Sequence, residues 1–416
     1  MPGAADVLVV GGGPAGATAA RTLALEGRCV RLLDRARFPR NKPCGGAISM
    51  RALRRFPYLP GALQRISTRR LSRLYLEAPS GDGITLTSHE PAALMVRRIE
   101  FDALLLNLAR EAGVEVVEGA EVSRAREFPD RVWVGARDGR EFEAPLLIAA
   151  DGVNSVIGRR LGINPGWPAA RVAIDMMEET PGETLRCVDA DTLWVAYGYG
   201  GSEGYAYVFP KADHVNVGIG YVLEWFRAHV EEAPYDLQRR FIAELQHRNV
   251  LEGSSSRSHF TPFLIPVGGP LPRTATSRVL LAGDAAGFVN GITAEGIYYA
   301  MVSGHLAARS AAAGTTDGYE RSWRTEIGAE LRDAVLVQQH LLTIPERIDA
   351  LVGAARRAPA VADLLIRYAM GEVSYFKARR RVLLRAPLLA LRLFIAAQTS
   401  ARSAPGRLSV GDTSHD

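Results

Sequence analysis

Short runs of uninterrupted apolar residues bounded by glycine recur along the chain, and each reads as a strand buried on both faces. The first is "ADVLVV" (5–10), and "PAGATAARTLALEG" (14–27) follows it with an Ala/Leu periodicity that predicts a helix stopping at Gly27. "RCVRLLD" (28–34) is the second strand, closing a strand-turn-helix-strand unit. "FDALLLNLAREAG" (101–113) predicts an amphipathic helix, and "VEVVEG" (114–119) and "PLLIAAD" (145–151) predict two more strands. From about 170 to 275 the texture changes to aromatic- and Val-rich strands such as "TLWVAYGY", "GYAYVFP" and "HVNVGIG". "RVLLAGDAAG" (278–287) then restores the buried-strand pattern and leads into a long helix, "AEGIYYAMVSGHLAARSAAA" (294–313). Beyond about 335 the chain reads as helical.

With 416 residues, 47% of them apolar and 23% charged, the chain can bury more than one core, and two domains are expected. Three scattered cysteines, Cys29, Cys44 and Cys187, make no disulfide framework and point to a reducing compartment. The eight histidines are dispersed and there is no Cys-x-x-Cys, so no metal site is expected. No cleavable leader and no membrane-spanning run are expected, which predicts a cytoplasmic protein. The charge is uneven. Eight cations and no acid lie between Glu372 and Asp412, more than the net +5 of the whole chain, so the remainder is net acidic. Within that stretch, 375–397 alternates cations with a wide apolar face, and Pro387 divides it. It is too charged to span a bilayer and predicts an in-plane helix on the inner face of an anionic membrane. Nothing in this distribution calls for nucleic acid.

The chemistry begins between the first strand and helix. Gly11-x-Gly13-x-x-Gly16 sits at that turn, and Asp34 closes the next strand 18 residues after Gly16. Glycines there allow a tight turn and close approach to a pyrophosphate at the helix N-terminus, while the acid holds ribose hydroxyls. Pro14, Ala15 and Arg35 flank these positions and are assigned to the same dinucleotide site. Only one such glycine pattern lies in strand-helix context, so a second resident nicotinamide domain is not expected. Electrons would then come from outside, from NAD(P)H, a ferredoxin-like protein or a quinol.

Two further segments resemble flavoproteins with the para-hydroxybenzoate hydroxylase-like fold. "LLAGDAAGFVNGITAEGIYYAMVSG" (280–304) resembles their late Gly-Asp motif, and "ADGVNSVIGRRLG" (150–162) their middle Asp-Gly motif. The resemblance implies FAD, held by Gly283, Asp284, Gly296, Ile297, Asp151 and Gly152, with Arg98 reaching its phosphates or adenine side. "RFPRNKPCGGAIS" (37–49) and "GYAYVFPKADHVNVGIG" (204–220) narrow the resemblance to the geranylgeranyl reductase family, which saturates double bonds of prenyl lipids. It implies an α/β fold: a Rossmann-like FAD-binding domain (1–75, 95–168, 275–334), an inserted antiparallel β-sheet substrate domain (76–94, 169–274), a helical region (335–399) and a disordered tail (400–416).

An isolated alkene has no carbonyl to activate it. A hydride from a flavin therefore needs a proton donor on the other carbon and a dry site. Cys44, Gly45, Gly46, Tyr205 and Tyr207 are the candidate catalytic residues. The thiol would serve as wall or proton source, the glycines would clear space for a flat ring or the alkene, and the tyrosines would line the channel. Cys44 and Gly45 are also assigned to the cofactor. Three residues depart from the family pattern: Tyr207 stands where Trp is usual, Gly291 where Pro is usual and Ala294 where Gly is usual. On the same scaffold, an aromatic monooxygenase or halogenase, or a flavin protein without catalysis, are the competing readings. No Trp-x-Trp-x-Ile-Pro segment of halogenase type is present.

Overall fold

Strand β1 (Val7–Val10) is buried along its whole length at the centre of a five-stranded parallel sheet. The order is Val279–Leu281, Leu146–Ala149, β1, β2 (Val30–Asp34), Glu115–Glu118. The strand order reverses beside β1, which opens a crevice at the carboxyl ends of the strands. The structure, a computed structural model, describes residues 4–200 and 204–373. The basic segment 375–397 and the tail 400–416 lie outside the described residues.

Helix α1 (Pro14–Leu25) starts with Pro14 in its first turn, where a missing N–H costs nothing. The helix Ile297–Ala312 crosses it so closely that a Cβ on Gly304 would lie 2.2 Å from the Ala15 carbonyl oxygen. An antiparallel meander, Val122–Glu127, Val132–Ala136 and Glu141–Ala144, leads the chain back to Leu146–Ala149.

The second large sheet has seven strands, in the order Phe260–Ile265, Ala173–Pro181, His214–Val222, Gly204–Pro210, Thr192–Tyr197, Arg73–Glu77, Gly83–Thr87. It is antiparallel except where Thr192–Tyr197 meets Arg73–Glu77 in parallel. That exception arises because Arg73–Glu77 comes from an early excursion of the chain and joins the sheet without a hairpin. Side chains alternate across the sheet. Ala206 and Val208 face a core with Leu237, Phe241, Ile242 and Leu245 of the helix Pro234–His247. Tyr205, Tyr207 and Phe209 face the other way, toward Leu76, Val195, Ile348 and Val352.

The region that reads as strands therefore also holds two helices, Leu223–His229 and Pro234–His247. The second carries its own signal, a proline at the first helical position and apolar residues at helical spacing, which the neighbouring aromatic strands outweigh. A third small sheet, Ala47–Ser49, Ala93–Val96 and Thr68–Leu71, bridges the two large ones. The helices Pro345–Arg357 and Pro359–Ala369 pack over the aromatic face of the seven-stranded sheet and its edge strand, and Ala329–Val337 packs beside them against Ile292 and Tyr197.

Candidate functional site

A cavity of about 1330 Å³ runs from the crevice of the parallel sheet to the aromatic face of the seven-stranded sheet. Its first half is polar and built by turns. Gly11 takes φ +105°, and a Cβ there would lie 2.2 Å from the Ala150 carbonyl oxygen, so the turn tolerates only glycine. Asp34 Oδ2 accepts from the Gly12 amide at 2.6 Å and Oδ1 from the Ala36 amide at 2.7 Å, which fixes its carboxylate at the cavity wall. Asp151 Oδ2 accepts from the amides of Val156 (2.7 Å) and Ile157 (3.1 Å), while Oδ1 is buried with no protein partner. Burial raises the Asp151 pKa against these hydrogen bonds. Gly152 has open space where a Cβ would project. Gly283 (φ +62°) turns the chain so that Asp284 and then Gly296 and Ile297 reach the same wall.

These residues fit FAD. An open helix N-terminus with no first-turn acid awaits the diphosphate, a carboxylate stands at the end of β2, and an unpartnered buried oxygen faces the cavity. Gly11, Gly13, Pro14, Ala15, Asp34, Arg35, Arg98, Asp151, Gly152, Gly283, Asp284, Gly296 and Ile297 all line the cavity. Gly16 does not. A Cβ on Gly16 would meet the Gly11 carbonyl oxygen at 1.8 Å, so this glycine serves the close packing of helix on strand.

At the junction of the two halves lies the loop 41–46. Cys44 Sγ accepts from the Gly46 amide at 3.4 Å. Arg98 forks onto Asp102 (2.7 and 2.9 Å), and Arg40 reaches the same carboxylate at 3.1 Å. Burial opposes the Arg98 charge, but Asp102 and the neighbouring Cys44 outweigh it and hold the guanidinium ionised. Arg98 therefore lines the cavity while its guanidinium is clamped to Asp102 next to the thiol.

Sequence reasoning assigns Gly45 and Gly46 to clearing space for a flat ligand; both line the cavity, and each also packs closely against protein on its Cβ side. A Cβ on Gly45 would lie 2.7 Å from the Phe209 ring, and one on Gly46 (φ +74°) 2.1 Å from the Val96 carbonyl oxygen. Gly45 seats the loop on the aromatic strand, and Gly46 seats it on the small-sheet strand Ala93–Val96.

Two charged residues that sequence reasoning left without a role complete the junction. Lys42 is half-buried, with Nζ 4.8 Å from the centre of the Phe263 ring. Burial, then Arg98, lowers its pKa, against the pull of Asp284 and Cys44. Asp175 is buried and accepts from the Tyr207 hydroxyl at 3.3 Å. Burial pushes its pKa up to about 7, against the Tyr207 hydrogen bond and Lys42. A lone acid inside the apolar run "VAIDMM" (172–177) was the signal that could have found it.

Tyr205, Tyr207 and Phe209 form a continuous aromatic face, with ring centres 5.5 and 4.6 Å apart. Beyond them the wall is aliphatic, with Leu74, Leu76, Val195, Leu342, Ile348 and Leu365. Such a lining holds an apolar chain and excludes water.

Residues 4–318 match the family model described as FAD binding domain. The chain is 30% identical over 366 residues to digeranylgeranylglycerophospholipid reductase 2 of Methanothermobacter thermautotrophicus, covering 83% of this chain and 90% of that protein. It is 30% identical over 328 residues to menaquinone reductase of Mycobacterium tuberculosis, covering 73% of this chain and 76% of that protein. The crystal structure of a geranylgeranyl bacteriochlorophyll reductase-like protein from Thermoplasma acidophilum superposes with a TM-score of 0.77 at 22% identity, over 94% of this chain and 99% of that one.

Proposed function

The chain belongs to the FAD-binding oxidoreductases of the geranylgeranyl reductase family, and from that premise we propose that it saturates isolated carbon–carbon double bonds in the isoprenoid chain of a prenyl lipid. The observation that carries this reading is the continuity of one cavity from the dinucleotide cradle to an aromatic and aliphatic wall. Reduced FAD, when bound, supplies the hydride. The residues of the chain do the rest. Leu74, Leu76, Val195, Ile348 and Leu365 bind the apolar chain and exclude water. Tyr205, Tyr207 and Phe209 present ring faces that stabilise cationic character at the reacting carbon by roughly 0.5–2 kcal/mol each. Cys44 and Gly45 wall the junction where the two halves meet.

We assign residues 76–94 and 169–274 to lipid binding and the three Rossmann-like segments to FAD. Electrons reach the flavin from an external donor, a nicotinamide, a ferredoxin-like protein or a quinol. Among the described residues no helix is long and apolar enough to cross a membrane. The basic segment 375–397 is assigned to peripheral contact with anionic lipid, which would bring the enzyme to its substrate.

The test is direct. FAD-loaded protein is reduced with dithionite without oxygen, a geranylgeranyl lipid is added, and flavin reoxidation is followed together with product mass. Gain of two hydrogens per double bond is the expected result. Insertion of an oxygen atom, seen only when oxygen is admitted, would identify a monooxygenase instead.

A further inference from the structure

We propose that Tyr207 and Asp175 are the proton-donating pair for the prenyl double bond, Tyr207 delivering the proton and Asp175 replacing it. The inference rests on the prenyl-reductase reading above. The geometry begins in the sheet register. Asp175 pairs with Gly220, and Tyr207 pairs with Gly218, so the donor and its partner sit two strands apart with a glycine-lined strand between them. A Cβ on Gly218 would lie 2.4 Å from the Tyr207 hydroxyl oxygen. Only because that Cβ is missing can the ring lean across the strand and bring its hydroxyl 3.3 and 3.4 Å from the two Asp175 oxygens. Both residues line the cavity, beside Tyr205 and Phe209.

The groups facing Asp175 are few. Tyr207 and Tyr205 come from the neighbouring strand Gly204–Pro210, Lys42 from the loop 41–46, and the aromatic Phe263 from the strand on its other side. Burial makes a neutral carboxylic acid accessible near neutral pH. Burial also keeps the Tyr207 phenol protonated, and the neighbouring Asp175 adds to that effect. This chain places a hydroxyl where its family usually has Trp, whose indole N–H is no acid. The substitution is therefore matched by an acid able to reload it.

The step balances as follows. The alkene π pair takes the proton of the Tyr207 hydroxyl to form one C–H bond. The hydride supplied by reduced FAD forms the other, so the flavin is oxidised by two electrons and the alkene reduced by two. When Asp175 is protonated the hydrogen bond reverses and Asp175 donates to the Tyr207 oxygen, so its proton passes to that oxygen as the phenolic proton leaves, and a carboxylate remains facing Lys42. Water then returns a proton to Asp175 before the next turnover.

The experiment uses full-length FAD-loaded protein with geranylgeranyl diphosphate, in wild-type, Tyr207→Phe, Tyr207→Trp and Asp175→Asn forms. Flavin absorbance and dithionite reduction establish that each variant carries a reducible cofactor. All three substitutions are expected to slow anaerobic reoxidation about 100-fold or more. The wild-type rate should be level on the acid side and fall as pH rises through about 7, because Asp175 must be protonated; Asp175→Asn should lose that inflection. An infrared carbonyl band of a protonated carboxyl, disappearing over the same range, should be missing in Asp175→Asn and shifted in Tyr207→Phe. Variants that keep the wild-type rate and the same inflection would overturn the pair while leaving prenyl reduction standing. A wild-type protein that reduces no prenyl double bond would overturn the reading of the function, and this proposal with it.

Discussion

Ala294 takes φ +53°, the left-handed region in which an L side chain costs roughly 1–2 kcal/mol. It lies on the cavity wall two residues before Gly296. Ala294→Gly relieves the strain but adds unfolded-state entropy of roughly 0.5–1 kcal/mol. The net expectation is a gain of up to about 1 kcal/mol, read as a raised midpoint in thermal denaturation; a lowered midpoint would contradict the conformation. Gly46→Ala goes the other way, because it combines φ +74° with a clash at the Val96 carbonyl, and the variant is expected to lose soluble, flavin-bearing protein. Asp175 adds a pH dependence of stability. Its folded pKa of about 7 lies above the ordinary carboxylate value, so its contribution is complete in acid and is lost as pH rises through 7. Denaturant titrations should show stability falling across that window in wild type and a flatter curve in Asp175→Asn. The departure from glycine at 294 was legible in the sequence. Its backbone angle, like the burial that perturbs Asp175, was not, because both depend on neighbours distant in the chain.

The strand Gly204–Pro210 shows how an element makes a site. Alternation sends Ala206 and Val208 into one core and the three aromatic rings toward the cavity. The adjacent strand His214–Val222 then decides where Tyr207 points. Gly218→Ala is expected to keep FAD, since it lies in the seven-stranded sheet, yet to displace the Tyr207 ring and cut prenyl reduction at least tenfold. Flavin occupancy measured beside turnover checks this: full turnover would mean the ring has room to spare. Aromatic- and Val-rich composition predicted these strands, and glycine-bounded apolar runs predicted β1, α1 and β2. The helix Pro234–His247 was missed, although Leu237, Phe241 and Leu245 carry a helical spacing, because short apolar runs beside aromatic strands read ambiguously.

At the scale of the whole molecule, one arginine ties distant segments together. Arg51 donates to Glu295 at 2.7 Å, Glu330 at 2.7 Å and the Tyr299 hydroxyl at 2.8 Å, and Tyr299 in turn donates to Glu330 at 2.8 Å. The network joins the helix Met50–Arg55, the cavity-lining turn at 295 and the helix Ala329–Val337. Arg51→Met would leave two largely buried carboxylates without their shared cation, Glu330 keeping only the Tyr299 hydroxyl, with an expected loss of about 3 kcal/mol, measurable by chemical denaturation. A loss below about 1 kcal/mol would show the pair to behave as a solvated one. Truncation after residue 374 is expected to reduce co-sedimentation with anionic liposomes and leave soluble flavoprotein behind; unchanged binding would remove the membrane role. Local sequence determined the dinucleotide turn, the strand and helix periods and the flavoprotein motifs, because glycine spacing and apolar alternation are satisfied within a few residues of one another. Only the tertiary structure decided that Gly45 packs on Phe209, that Gly46 packs under the Val96 carbonyl, and that Asp175 meets Tyr207 across a glycine-lined strand. Each of those outcomes depends on which surfaces come into contact and exclude water, and no short stretch of chain carries that information.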